Sequence, residues 1–166
     1  MPDLPITAKD KLHRIDDLLD SYEKSIGLPT CQAPGTEEDL NKIICIDRQS
    51  LESLHLEECS ALVFKLAQYS FYLQRLQNRE KTRETWATEE LNKIVSAKFN
   101  DYDKYMKFDM RVASVIKEDS YAESIHKILI YARQRSQRLD FLSMSLTNLS
   151  NAMKSVQHTK EKMVNG

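Results

Sequence analysis

Apolar side chains recur along this chain at steps of three and four residues, the spacing that lines one face of an α-helix. The first set, Leu12, Ile15, Leu18, Leu19, Tyr22 and Ile26, follows a capping-box start at Thr7-x-x-Asp10 and is stopped by Gly27 and Pro29. Thr36-Glu37-Glu38-Asp39 opens a short second helix carrying Leu40, Ile43 and Ile44. Asp47 or Ser50 caps a third, with the stripe Cys59, Leu62, Leu66, Tyr69, Leu73 and Leu76. The pattern turns polar between Gln77 and Thr85, yet no breaker interrupts it, and Ala87, Leu91, Ile94 and Phe99 restore the apolar face. One helix from about residue 50 to 99 is therefore expected, about 75 Å long at 1.5 Å per residue.

Asn100-Asp101-Tyr102-Asp103 reads as a corner, because short polar side chains compete there for backbone hydrogen bonds. A fourth helix is expected from about Asp103 to Lys117, and Ser120-x-x-Glu123 offers a capping box for the last one. That last helix carries a heptad seam through Ile125, Ile128, Ala132, Arg135, Leu139, Leu142, Leu146, Leu149, Met153 and Val156, with Arg135 as its one polar interruption. A seven-residue repeat sustained over several heptads specifies a coiled coil. Its larger apolar members, Ile125, Ile128, Leu139, Leu142, Leu146, Leu149, Met153 and Val156, are the candidate oligomerisation residues. The third helix, another chain, or both could face them.

Glycine and proline sharpen this picture. All four prolines and two of the three glycines precede residue 36, and the 130 residues from Thr36 to Asn165 contain neither. Tight hairpins and βαβ turns draw on those residues, so the fold class expected is all-α, an elongated helical bundle with a coiled-coil-like C-terminal helix. The stretch Leu28 to Gly35, with two prolines and a glycine, reads as a linker. Residues 1–35 are accordingly expected to be an acidic helix and flexible linker, movable relative to a helical assembly domain at 36–166.

Charge divides the chain. Residues 1–60 hold six basic and thirteen acidic side chains, a net of −7, whereas residues 61–166 hold eighteen and twelve, a net of +6. Such asymmetry points to contact with a nucleic acid or a membrane, the acidic part either solvating the protein or pairing with the basic part of a neighbour; a set of solvated helix faces is the plainer alternative. The three cysteines, Cys31, Cys45 and Cys59, show no Cys-x-x-Cys pair and read as ordinary buried thiols in a reducing, cytoplasmic setting. No apolar run reaches the length of a membrane span.

Catalytic spacings are missing. His13, His55, His126 and His158 are scattered, and there is no His-Glu-x-x-His, phosphate-binding glycine loop or Gly-x-Ser-x-Gly elbow. Glu57-Glu58 and Glu89-Glu90 lack the Glu-x-x-His partner of a carboxylate metal site. No enzyme, catalytic residue, metal or cofactor is expected.

Basic residues form more pointed patterns. Arg75, Arg79 and Arg83 share one side of the third helix, followed by Trp86; Lys104, Lys107 and Arg111 share another, with Tyr105 and Phe108 beside them. Cations neutralise phosphates and rings stack on exposed bases, so this interleaving suits single-stranded nucleic acid. Intrahelical pairing, Glu80 with Arg83 or Asp101 with Lys104, is the plainer alternative. Arg133, Arg135 and Arg138 form a third cluster, of which Arg135 could be paired inside a bundle.

Three segments together carry a family resemblance: Ile46-Asp47, then Tyr69-Ser70-Phe71-Tyr72-Leu73, then Tyr105-Met106-Lys107-Phe108-Asp109-Met110-Arg111. Over roughly residues 46 to 160 the chain resembles the UvsY recombination mediators of T-even-like phages, with their Tyr-Ser-x-aromatic-Leu and Tyr-x-Lys-x-acidic-Met-basic segments. The N-terminal helix and linker have no counterpart in that pattern. The resemblance implies an oligomeric helical accessory protein, in a host cytoplasm if phage-encoded. Such a protein binds single-stranded DNA and helps a RecA-like recombinase replace single-strand-binding protein. The family's Lys-x-Arg segment falls at Ser96-Ala97-Lys98, where only Lys98 keeps its charge; Lys93, Lys104 and Lys107 are the nearby cations that could compensate. Two other readings stand beside it: a structural or scaffold protein of a phage virion or its assembly, acting through its coiled coil, and an adaptor whose acidic N-terminal helix occupies a partner's groove.

Overall fold

The computed structural model describes residues 7–27 and 32–165. It is all-α: α1 (Ala8–Ser25), α2 (Glu37–Ile44), α3 (Arg48–Ser53), α4 (Leu56–Lys98), a 3-10 turn (Phe99–Asp101), α5 (Phe108–Glu118) and α6 (Ser120–Asn165), with no strand among the described residues. Residues 28–31 of the expected linker, Cys31 included, lie outside the described residues.

Local chemistry sets most of the boundaries. Thr7 and Asp10 exchange side-chain and backbone hydrogen bonds in a complete capping box, and Thr36 and Asp39 do the same for α2. Gly27 takes the left-handed φ of +73° that ends α1. The polar stretch 77–85 is uninterrupted helix inside the 43 residues of α4.

Three boundaries differ from expectation. The helix expected from residue 50 is broken at Leu54, whose ψ of 146° is extended, and α4 restarts at Leu56. Asp47 caps the short α3, and the His55 backbone N–H donates to the Glu58 carboxylate at 2.7 Å to open α4. Lys160 of α6 holds this break from a distance, its ammonium donating to the carbonyls of Leu51 (3.0 Å) and Leu54 (2.5 Å). The fourth helix starts at Phe108 rather than Asp103, because the Asp103 carboxylate accepts from the Tyr105 N–H (2.9 Å) and closes a turn instead. Asp119, not Ser120, caps α6, accepting from the N–H groups of Tyr121 and Ala122.

The described residues fall into two compact units, 7–27 with 78–136 and 32–77 with 137–165; α4 and α6 each contribute to both. Units and expected domains therefore divide the chain differently. The acidic α1 is packed within the first unit rather than hanging free, through ion pairs to α4 and a buried Ala8. The first core gathers Ala87, Leu91 and Val95 of α4, Val115 of α5, and Ala122, Ile125 and Leu129 of α6. In the second, Ile43 of α2 packs with Leu66 and Tyr69 of α4 and Leu146 and Met153 of α6. The Tyr69 hydroxyl donates to the Thr36 carbonyl at 3.1 Å, tying α4 to the start of α2.

α6 keeps a heptad seam, shifted at every second position. Its buried residues are Ala122, Ile125, Leu129, Ala132, Ser136, Ser143, Leu146, Ser150 and Met153. The expected seam shares Ile125, Ala132, Leu146 and Met153 with this row, and Leu139 is half-buried. Ile128, Leu149 and Val156 flank it half-buried, while Leu142 is 46 % exposed. Small serines take three of the inward positions; a polar group meets Ser143, which lies 3.2 Å from the Ser70 hydroxyl on α4, and nearby Gln77 donates to Asp140 at 2.9 Å. Much of the seam assigned to oligomerisation is thus buried inside the chain's own units. Cys59 is buried as expected, but Cys45, at the end of α2, is exposed.

Candidate nucleic-acid interface

The basic side chains of α4 are largely occupied. Arg83 makes a forked pair with Asp16 of α1 (2.9 Å to each oxygen) and reaches Glu80 at 2.5 Å. The Asp16 bond is the leading cause that raises its pKa further. Arg79 pairs with Asp20, and Lys11 of α1 with Glu90 at 2.5 Å. Both partners in the Asp16–Arg83 pair are mostly shielded from solvent. Arg75 is half-buried and likewise engaged. Trp86 is half-buried, packed against the first core. The expected stripe Arg75, Arg79, Arg83, Trp86 is therefore not an open binding face.

Glu80, buried on α4, also forms an ion pair with Arg135 of α6 at 3.0 Å without a hydrogen bond to that oxygen, and Arg133 donates to Glu84 at 2.9 Å. Within the polar stretch 77–85, Gln77, Arg79, Glu80, Arg83 and Glu84 thus meet partners within the protein, while Asn78, Lys81, Thr82 and Thr85 are exposed. Lys93 is well exposed with Glu90 at 3.7 Å. Lys98 donates to Asp119 at 2.6 Å, and this bond, ahead of the Ala122 N–H, holds the Asp119 carboxyl below its ordinary range.

The loop between α4 and α5 is different. Tyr105 is 84 % exposed with the Lys104 ammonium 5.2 Å from its ring centre, and Phe108 is 63 % exposed. Lys104 and Lys107 are exposed and form no ion pair among the described residues. Arg111, expected to contact nucleic acid, is instead 9 % exposed and structural. Its guanidinium donates to the carbonyls of Lys104 and Met106 (3.1 Å for the latter) and lies 4.5 Å from the Phe99 ring centre. Phe99 in turn meets Phe108 at 5.6 Å between centroids. Arg111 thus fixes a loop that presents Tyr105 and two lysines outward.

Lys107 occupies the N-cap of α5 with no side-chain cap hydrogen bond. The Met110 N–H donates to the Lys107 carbonyl at 3.1 Å, but no side chain caps this helix start, and a cation at the positive end of a helix dipole is an arrangement that an anion improves. Asp109, in the first turn, partly offsets it. Asp101 and Asp103 also lie nearby in sequence, so the loop is not strongly positive and its exposed rings carry much of what it offers a ligand.

Sequence reasoning missed the acidic partners. Asp16 and Asp20 repeat at four residues, as Arg79 and Arg83 do, and that matched spacing was the available signal. Nothing local linked Lys98 to Asp119. Among the described residues no group of three or more His, Cys, Asp or Glu is placed to hold a metal ion, and no helix is long and apolar enough to cross a membrane. Comparison with protein-family models, curated proteins and solved structures found no match to this chain.

Proposed function

We propose that this protein is a non-enzymatic accessory that holds single-stranded DNA through the α4–α5 loop, in the manner of a recombination mediator assisting a RecA-like recombinase. The observation that carries the DNA-binding part is the exposed Tyr105 beside Lys104 and Lys107, with Lys107 at an uncapped helix N-terminus. A ring this open suits base stacking, and an uncapped N-terminus suits a phosphate. The mediator role and the self-assembly it entails rest on the UvsY resemblance through residues 46 to 160, of which Tyr105 to Arg111 is one motif.

The test is fluorescence anisotropy with a labelled single strand at several salt concentrations. Tyr105→Ala is expected to weaken binding by about 1–3 kcal/mol with little change in salt slope. Lys104→Glu with Lys107→Glu should flatten the log–log slope by about 0.7 for each phosphate lost. Wild-type protein that ignores single strands at low salt sinks the proposal.

The second reading, a structural or scaffold protein, is favoured by Phe141, Leu142 and Met144, all well exposed on α6 within the second unit. Large apolar side chains clustered on a surface suit helical assembly.

A further inference from the structure

We infer that α1 is an internal occupant of a second polyanion-binding surface, the Arg79–Arg83 face of α4, and that single-stranded nucleic acid competes with it there. This rests on the proposed DNA-binding function and adds to it a second contact region and its control.

The geometry is that of a substitute ligand. Lys11, Asp16 and Asp20 meet Glu90, Arg83 and Arg79 in reverse order, so α1 runs antiparallel to this part of α4. Asp16 and Asp20 stand one turn apart, about 6 Å along the axis, comparable to successive phosphates of an extended strand. The fork of Arg83 takes both oxygens of Asp16, the pairing a phosphate accepts equally well. Arg79 Nε is buried without a hydrogen-bond acceptor, so Asp20 leaves part of that guanidinium's capacity unused.

The occupant is also weakly held. Ala8 is the one side chain of α1 that is fully buried; Leu12, Ile15 and Leu19 are half-buried, and Leu18, Tyr22 and Ile26 are exposed. With so little apolar burial, much of the docking lies in ion pairs, of which Arg79–Asp20 is open to salt at its carboxylate while Arg83–Asp16 is more sheltered, and an element held this way opens below the cost of global unfolding. Once α1 leaves, Arg83 keeps Glu80, which it shares with Arg135, whereas Arg79 loses its carboxylate.

Anisotropy titrations of a labelled oligothymidine with the full chain test this. Asp16→Ala with Asp20→Ala should bind more tightly than wild type. Its log–log salt slope should be steeper by about 1.4 units, about 0.7 for each of two phosphates. Adding Arg79→Gln and Arg83→Gln to that variant should return both values to wild type. An Asp16/Asp20 variant that binds like wild type overturns the inference, and so does a gain that survives the arginine changes, since loss of negative charge alone would explain it. A readout without mutation is hydrogen exchange: saturating oligothymidine should speed exchange of the α1 amides in wild type, and unchanged or slower exchange counts against competition. Failure of the loop reading shows separately, as wild-type binding indifferent to Lys104→Glu with Lys107→Glu.

Discussion

The basic groups of α4 and those of the loop that follows it sit in opposite electrostatic circumstances. Arg79 and Arg83 face carboxylates of α1 and α4 at hydrogen-bonding distance, partly sheltered from water. Lys104 and Lys107 stand in solvent beside an exposed ring. Arg111 belongs to the loop by position and to the interior by contact. Charge close to other charge supports the fold, and charge left open is what a ligand can use.

Removing Arg111 should have the largest effect. Arg111→Ala leaves two carbonyls without their donor and uncovers Phe99, at a cost of about 2–4 kcal/mol in urea unfolding. Arg111→Lys is expected to recover only part of this, because an ammonium cannot fork between two carbonyls while stacking on a ring. Full stability in the alanine variant would return Arg111 to the open cations.

Next comes a matched pair across the two regions. Arg83→Ala should cost about 1–2 kcal/mol, since it strands Asp16 and takes one partner from Glu80. Lys107→Ala should stay within about 0.5 kcal/mol, as exposed substitutions do. Equal costs would erase the distinction between stripe and loop.

The smallest effect is a pH dependence at Lys98, between the two regions. The Asp119 carboxyl is depressed in the folded protein, chiefly by Lys98. Its stabilisation is therefore whole above the unfolded carboxylate value of about 3.9 and disappears as pH falls through the folded one. Asp10, Asp39, Asp47 and Glu90 are depressed too, so the informative quantity is wild type minus Asp119→Asn. That difference in melting temperature should be constant from pH 5 to 7, on the order of model carboxylate titration, and shrink below it. A difference unchanged down to acid pH would show that Lys98 does not act on Asp119.

What was legible in the sequence is what is local. The capping boxes at Thr7 and Thr36, the stop at Gly27 and the helical run through 77–85 each depend on residues within a turn or two. The break at Leu54 was hidden because its support, Lys160, lies over 100 positions away. Register failed for a related reason. Leu142 looks more like a core residue than Ser143, yet the hydroxyl opposite, on Ser70, suits serine. At the candidate site, exposure of Tyr105 and Lys107 agreed with the pattern, whereas the occupation of Arg79 and Arg83 required knowing that α1 packs in their unit.

The bond from Lys160 to the α3–α4 break also has a consequence for synthesis. Every described residue of the first unit has left the ribosome once residue 136 has emerged, so that unit can close early. The corner at Leu51 and Leu54 waits for a residue more than 100 positions later, a long-range contact of the kind that slows folding and leaves intermediates exposed. The nascent chain therefore carries the α3–α4 corner without its Lys160 bonds until residue 160 has emerged, and fraying of the last turns of α6 would remove the same bonds.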